Sequence, residues 1–100
     1  MLAKIDLQHL IQIIREHMPE LLERYDVESL GVFGSFARQE QSPESDLDLL
    51  VTFRETPGLL RYIALENYLS DLLGVKVDLV MKDALKPHVG KRILEEVIML

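Results

Sequence analysis

The sequence predicts a small α/β (α+β) domain in which helices pack mainly on one face of a small mixed β-sheet. The chain has 100 residues, of which 48% are apolar and 28% are charged, a composition typical of one globular domain with a single core. Segments with helical periodicity alternate with segments of period two. Residues 46–81 read as strand, helix and strand, the pattern of a right-handed crossover between parallel strands. We therefore expect one domain over residues 1–100, with the element order α-α-β-turn-β-α-β-α.

The N-terminal segment is predicted to be a helix that begins after Asp6, whose side chain can cap the first turn. Its apolar residues recur at helical spacing and are Leu7, Leu10, Ile11 and Ile14. Pro19 is expected to interrupt this helix and to open a short second helix. Residues 30–33 are predicted to form a short strand, and residues 36–38 the beginning of a helical turn.

The central segment is predicted to be a polar loop followed by a strand. Residues 39–45 are polar and include Pro43, which favours a loop. Residues 46–53 alternate between two faces, as a half-buried strand does. The apolar face, which we expect in the core, carries Leu47, Leu49, Val51 and Phe53.

The C-terminal segment predicts a helix, a strand and a last helix. Residues 59–73 carry apolar side chains along one helical face, and Gly74 is a natural end for that helix. Residues 75–81 are predicted to form a further strand. Pro87 comes shortly before the last helix, whose predicted apolar residues are Ile93, Leu94, Val97 and Ile98.

The charge balance excludes some classes of function. Lys and Arg number 11 against 17 Asp and Glu, so the net charge is −6, and direct binding to nucleic-acid backbones is not expected. A nucleotide remains compatible with this charge if a metal ion supplies the positive charge. The chain has no cysteine, which excludes disulfides and thiol catalysis and fits a cytoplasmic protein. Charged residues interrupt residues 1–17, so we expect neither a signal peptide nor a membrane span.

Two aspartates at the start of the 46–53 strand carry the strongest chemical signal. Asp46 and Asp48 point to the face opposite the apolar residues, where their charges repel each other. A divalent cation resolves this repulsion, and Mg²⁺ binds carboxylate oxygens together with substrate phosphates. Asp78 lies within the 75–81 strand and becomes a third carboxylate on the same face if the two strands are neighbours. Three carboxylates around one or two Mg²⁺ ions suit phosphoryl or nucleotidyl transfer.

The dipeptide Gly34-Ser35 directly follows a predicted strand, at the opening of a helical turn. Glycine lets the backbone approach a phosphate closely, and Ser35 offers a hydroxyl and an N–H to an anion. Arg38 is close enough in sequence to contact a phosphate; the alternative is a surface arginine paired with Glu40 or Glu44. Taken singly, the turn, the strand-start aspartate and the mid-strand aspartate each fit an ordinary structural role as well.

A resemblance to a known family rests on residues 34–51, which read GSFARQEQSPESDLDLLV, and on the later string VDLV. These stretches resemble the minimal nucleotidyltransferase (MNT) antitoxins of the DNA polymerase beta-like superfamily. The family pattern of Gly-Ser, ten residues and Asp-x-Asp is matched by Gly34, Ser35, Asp46 and Asp48, and the resemblance covers nearly the whole chain. It implies the nucleotidyltransferase fold and an antitoxin that transfers AMP from ATP to a tyrosine of a HEPN-type ribonuclease toxin encoded nearby.

The same resemblance implies roles for individual residues. Gly34 and Ser35 would bind the triphosphate of ATP, and Asp46 and Asp48 would be Mg²⁺ ligands. Asp78 matches the third acid of the family, which would help to activate the acceptor hydroxyl, either as a metal ligand or as a base.

One position departs from the family pattern. Many relatives read Gly-Ser-x-Ala-Arg-Gly-Glu, and Gln39 stands here in place of the last glycine. That glycine would end the short helical turn with a positive φ. Gln39 is therefore expected to adopt, at some cost, a conformation that residues other than glycine rarely take.

Two other functions are open on the sequence alone. The chain could be a binding module that covers the active site of a partner without turnover, although such a module has no need of three acids. It could also be a nucleotidyltransferase for a small molecule such as an aminoglycoside, a reaction that usually requires a second domain to hold the acceptor.

Two further surface features are predicted. Lys86, His88, Lys91 and Arg92 form a basic cluster that could meet nucleotide phosphates or a partner, with a solvated helix start as the favoured explanation. The apolar content also exceeds what a three-stranded sheet covered on one face can hide easily. This excess indicates a surface for a partner or for self-association, and hence a homo- or hetero-oligomer.

Overall fold

A computed structural model describes residues 6–100 and confirms the α/β class with a mixed sheet. In chain order the elements are α1 (Leu7–Tyr25), β1 (Val27–Phe33), β2 (Leu47–Phe53), α2 (Leu59–Leu73), β3 (Val77–Met81), one 3₁₀ turn (Lys82–Ala84), α3 (Pro87–Glu96) and β4 (Ile98–Met99). None of the helices in the described part of the chain is long and apolar enough to cross a membrane.

The four strands are arranged in the order β3-β2-β1-β4. The pairs β1–β2 and β1–β4 are antiparallel, whereas β2 and β3 are parallel. The parallel pair confirms the predicted crossover between parallel strands, because α2 lies between the end of β2 and the beginning of β3 in the chain. β1 begins at Val27, earlier than the predicted residue 30, since Val27 pairs with Phe53 at the far end of β2.

The core lies between the sheet and helices α1 and α2. The predicted apolar face of β2 is confirmed at Leu47, Leu49 and Val51, which are buried, whereas Phe53 at the end of the strand is only partly buried. Side chains of both helices complete the same cluster; they include Leu10, Ile14 and Leu21 from α1, and Leu65, Leu69 and Leu73 from α2. The opposite face of β2, which carries Asp48, does not face this core.

The predicted break at Pro19 is wrong, because α1 runs through this residue to Tyr25. A proline inside a helix removes one backbone hydrogen bond and costs about 3 kcal/mol. Leu21 lies on the same face as Ile14 and is fully buried, so packing against the sheet offsets that cost. The helix ends instead at Asp26, whose φ of 57° places it in the left-handed region.

The predicted C-terminal helix is also wrong for its last residues. α3 ends at Glu96, and Ile98 pairs with Val32 at the free edge of β1. The edge of β1 offers unpaired backbone groups, and β-branched residues such as Val97 and Ile98 favour extended structure. Gly31 permits the close approach, since a Cβ there would lie 2.5 Å from a methyl group of Val97.

Side chains of α2 cover the outer edge of β3. The Val77 N–H donates to Ser70 Oγ at 3.0 Å, and the Leu79 N–H donates to Glu66 Oε2 at 2.9 Å. The Tyr62 hydroxyl donates to the Leu79 carbonyl. These bonds satisfy backbone groups at the outer edge of β3 and hold in place the segment that carries Asp78.

Glu66→Ala is expected to lower the free energy of unfolding by about 1–2 kcal/mol, because the partly buried Leu79 N–H loses its acceptor. Urea denaturation followed by circular dichroism measures this change. The matched control is Asp71→Ala, which removes an exposed acid from the same helix. An equal loss in both variants would contradict the proposed edge contact.

Candidate active site

Two of the three predicted acids lie directly opposite each other on the parallel strands. Asp48 of β2 is in register with Asp78 of β3, so the two acids share a face, as predicted for neighbouring strands. Asp46 immediately precedes β2, and its Oδ2 lies 3.9 Å from Nζ of Lys76. The fold therefore brings Asp48 and Asp78 together, with Asp46 beside them and turned toward Lys76.

The electrostatics of Asp48 reflect this crowding of acids. Partial burial and the negative charges of Asp78 and Asp46 raise the pKa of Asp48 to about 6. A hydrogen bond with Asp78 shifts this pKa in the same direction, whereas Arg38 opposes the shift. The positive charge of Arg38 thus offsets the crowding at Asp48 only in part, and a proton or a bound cation would relieve the rest.

The donor chemistry of this cluster fits Mg²⁺, although its geometry is not that of a closed metal site. Within residues 6–100, no three Asp, Glu or His side chains are gathered closely enough to hold a metal ion. Carboxylate oxygens are the ligands that Mg²⁺ prefers, and substrate phosphates complete its coordination. Asp46 would have to rotate away from Lys76 to join Asp48 and Asp78 as a ligand.

The Gly34-Ser35 turn packs directly against Asp48. Gly34 has a φ of +76°, and a Cβ at this position would lie 2.1 Å from Asp48 Oδ2. The Arg38 N–H donates to the Gly34 carbonyl at 3.1 Å, and the Glu40 N–H donates to the Ser35 carbonyl at 2.8 Å. These bonds confirm the predicted helical turn and show that only glycine fits its first position.

The expected conformation of Gln39 is confirmed. Its φ is 59°, in the left-handed region, where the turn ends. The Gln39 N–H donates to the carbonyl of Phe36 at 3.3 Å, and the Phe36 ring is fully buried. The buried ring anchors the turn, which offsets the backbone cost at Gln39.

A cavity of about 290 Å³ lies between this turn, Asp48 and α3. Glu96, the last residue of α3, enters it and accepts a hydrogen bond from the Gly34 N–H at 3.0 Å. The same carboxylate oxygen lies 3.0 Å from Nη1 of Arg38. Arg38 Nε also lies 3.4 Å from Glu40, so the predicted pairing with a surface acid is present. Arg38 lines the cavity as well.

The structure divides the predicted basic cluster. Arg92 lines the cavity that contains Asp48, whereas Lys86 and Lys91 line a separate groove beside α3. His88 is exposed at the helix start.

Glu96 was not identified from the sequence, because nothing in its neighbourhood marks it. It reaches Gly34 only through folding, across a separation of 62 residues.

Comparisons with known proteins identify similar sequences and structures. Residues 14–100 match the family described as the nucleotidyltransferase domain. Protein adenylyltransferase MntA of Thermococcus cleftensis is 47% identical over 97 residues, which cover 97% of this chain and 98% of that protein. A Methanocaldococcus jannaschii protein, provisionally named a protein adenylyltransferase, is 54% identical over 87 residues, or 86% of this chain and 89% of that protein.

Solved structures extend the comparison. One, provisionally assigned as a minimal nucleotidyltransferase, superposes with a TM-score of 0.80 at 40% identity and covers 98% of this chain and 99% of that chain. Another is an MNT antitoxin in complex with a tri-AMPylated HEPN toxin of Shewanella oneidensis, with a TM-score of 0.59, 18% identity and coverage of 92% and 66%. The likeness to the minimal nucleotidyltransferase confirms the fold that the sequence predicts. The likeness to the antitoxin of the toxin complex concerns the fold alone.

Proposed function

Because this chain belongs to the nucleotidyltransferase domain family and is an enzyme of that class, we propose that it transfers AMP from ATP to a tyrosine hydroxyl of a partner protein. The observation that carries the proposal is the register of Asp48 with Asp78, beside a turn that only Gly34 can form. Arg38 offsets the crowding of carboxylates at Asp48 only in part, as expected of a site that takes up a cation and phosphates.

The described residues have separable roles in this reaction. Gly34, Ser35 and Arg38 would hold the β- and γ-phosphates through N–H groups, a hydroxyl and a guanidinium. Asp46 and Asp48 would hold Mg²⁺, which when bound neutralises charge on the phosphates.

The transfer itself requires an aligned acceptor. The acceptor oxygen forms a bond to the α-phosphorus as the bond to the pyrophosphate leaving group breaks, and the phenolic proton leaves the acceptor. Asp78 would orient the hydroxyl for this in-line attack, either as a further metal ligand or as the group that takes the proton. Positioning and charge neutralisation supply most of the rate increase in such a reaction.

We propose further that the acceptor belongs to a HEPN-type toxin and that this chain is its antitoxin. The related complex of an MNT antitoxin with a tri-AMPylated HEPN toxin supports this choice. The described surface also leaves large apolar side chains exposed, including Leu59 and Leu60 at the start of α2 and Met99 in β4. Such residues favour burial against another protein.

Intact-mass spectrometry of the partner, after incubation with this chain, ATP and Mg²⁺, tests the proposal. The expected result is a mass gain of one or more AMP units. The control carries Asp46→Asn and Asp48→Asn and is expected to give none. A stable complex with a silenced but unmodified partner would contradict the transfer and indicate a non-catalytic antitoxin instead.

A further inference from the structure

The carboxylate of Glu96 occupies the donors that the proposed reaction assigns to phosphate. Its Oε2 accepts the Gly34 N–H at 3.0 Å and lies 3.0 Å from Nη1 of Arg38. A backbone N–H at a glycine turn together with a guanidinium is the donor set that binds a phosphate oxygen. In this structure that set is therefore taken by an anion from the chain itself.

A phosphate oxygen and the Glu96 carboxylate compete for the single Gly34 N–H, and both would lie beside the Arg38 guanidinium. Both are anions, and the cavity around them is partly enclosed and already contains the acid Asp48. In a partly buried site, like charges repel more strongly than in water. Binding of a triphosphate at Gly34 and Arg38 would thus require the carboxylate to leave.

Removal of the carboxylate requires little rearrangement of the backbone. The helix end is fixed, because the Val97 N–H donates to the Ile93 carbonyl at 2.9 Å and Ile98 pairs with Val32. The Glu96 side chain is 27% exposed, so an outward rotamer leads to solvent. The side chain can rotate while α3 and β4 stay in place.

We propose that Glu96 is an internal competitor for the triphosphate of the nucleotide, which lowers the affinity of the empty site until its side chain is displaced. The proposal rests on the proposed function for the identity of the ligand. The donors are available only in the fraction of molecules whose Glu96 has turned out, and the apparent affinity falls by that fraction.

Calorimetric titration with two probes, inorganic tripolyphosphate and ATP with Mg²⁺, tests the proposal. Glu96→Gln keeps an oxygen acceptor for the Gly34 N–H and removes the charge. It is expected to bind both probes about fivefold more tightly than the wild type. Glu95→Gln makes the same change of charge at the exposed neighbouring residue of α3 and is expected to stay within about twofold. Thermal denaturation by circular dichroism verifies that both variants are folded.

The outcomes separate this inference from the proposed function. Unchanged or weaker binding of tripolyphosphate by Glu96→Gln overturns the competitor, and weaker binding would make Glu96 a positioning residue for the turn. Absence of tripolyphosphate binding in both proteins overturns it as well. AMP transfer by the wild type, measured separately by mass, leaves the proposed function standing in either case. Tighter binding by Glu96→Gln without any AMP transfer would support the competitor and contradict the proposed reaction.

Discussion

Replacement of Asp48 by asparagine is expected to lower AMP transfer by a factor on the order of 10³ or more, while the nucleotide-free protein becomes more stable above pH 6. Asparagine cannot supply the charge that a metal ion requires. The substitution also removes a partly buried carboxylate that is repelled by Asp78 and Asp46, which stabilises the folded protein. Activity and stability are therefore expected to change in opposite directions at this position.

The pH dependence of this stability gain follows from the raised pKa. The pKa of Asp48 is about 6 in the folded protein against an ordinary 3.8, so the folded state holds the proton more tightly than the unfolded state. Stability from this group is present at low pH and is lost as pH rises from about 4 to about 6. Asp48→Asn escapes the loss and should exceed the wild type by about 1–2 kcal/mol above pH 6, a value reduced for solvent screening.

Urea unfolding at pH 4 and pH 7.5, together with the AMP-transfer assay, measures both effects. Asp71→Asn, a change at an exposed acid of α2, is the control and should alter neither quantity appreciably. Transfer at the wild-type rate by Asp48→Asn would contradict the role of this residue in catalysis. If Asp48→Asn and the wild type differed in stability by the same amount at both pH values, this result would contradict the raised pKa of Asp48.

Replacement of Gly34 by alanine is expected to abolish most of the AMP transfer and to cost about 2 kcal/mol of stability. The residue has a φ of +76°, which strains any side chain. The added Cβ would also lie 2.1 Å from Asp48 Oδ2, so the carboxylate must move away from its place in the site. The loss of activity arises from this displacement and the loss of stability mainly from the backbone.

Gly74→Ala provides a matched control for this prediction. Gly74 ends α2 with a φ of +71°, and nothing lies within 4 Å of an added Cβ. The variant thus introduces the same backbone strain without the clash, and is expected to lose about 1 kcal/mol and to keep its activity. Thermal unfolding and the transfer assay compare the two variants. Equal activity of Gly34→Ala and Gly74→Ala would contradict the close packing of Gly34 against Asp48.

Local signals in the sequence were sufficient for much of the fold. Asp6 caps α1, since its side chain accepts a hydrogen bond from the Gln8 N–H, and Gly74 ends α2 in the left-handed conformation. The period-two alternation of residues 46–53 assigned the core face of β2. Each of these features depends on residues close together in the chain, so that propensity and pattern describe it well.

The candidate site was predictable to the same extent. Asp48, Asp78 and Gly34 were identified because strand alternation and a glycine turn limit where they can point. Their adjacency needed one further assumption, that β2 and β3 are neighbours, and the parallel register confirms it. Their catalytic roles remain predictions until the variants are measured.

The sequence by itself thus determined most of the elements, the acidic face and the glycine turn, because these follow from backbone preferences and periodicity. Only the tertiary structure decided that α1 continues through Pro19, that Ile98 leaves the last helix for a strand, and that Glu96 reaches Gly34. In the first two cases burial of Leu21 and pairing with the edge of β1 outweigh a local preference. In the third, two charge-assisted hydrogen bonds join residues that no local pattern relates. Such contacts exist only once the sheet is assembled, and their free energies are as large as the local terms that they override.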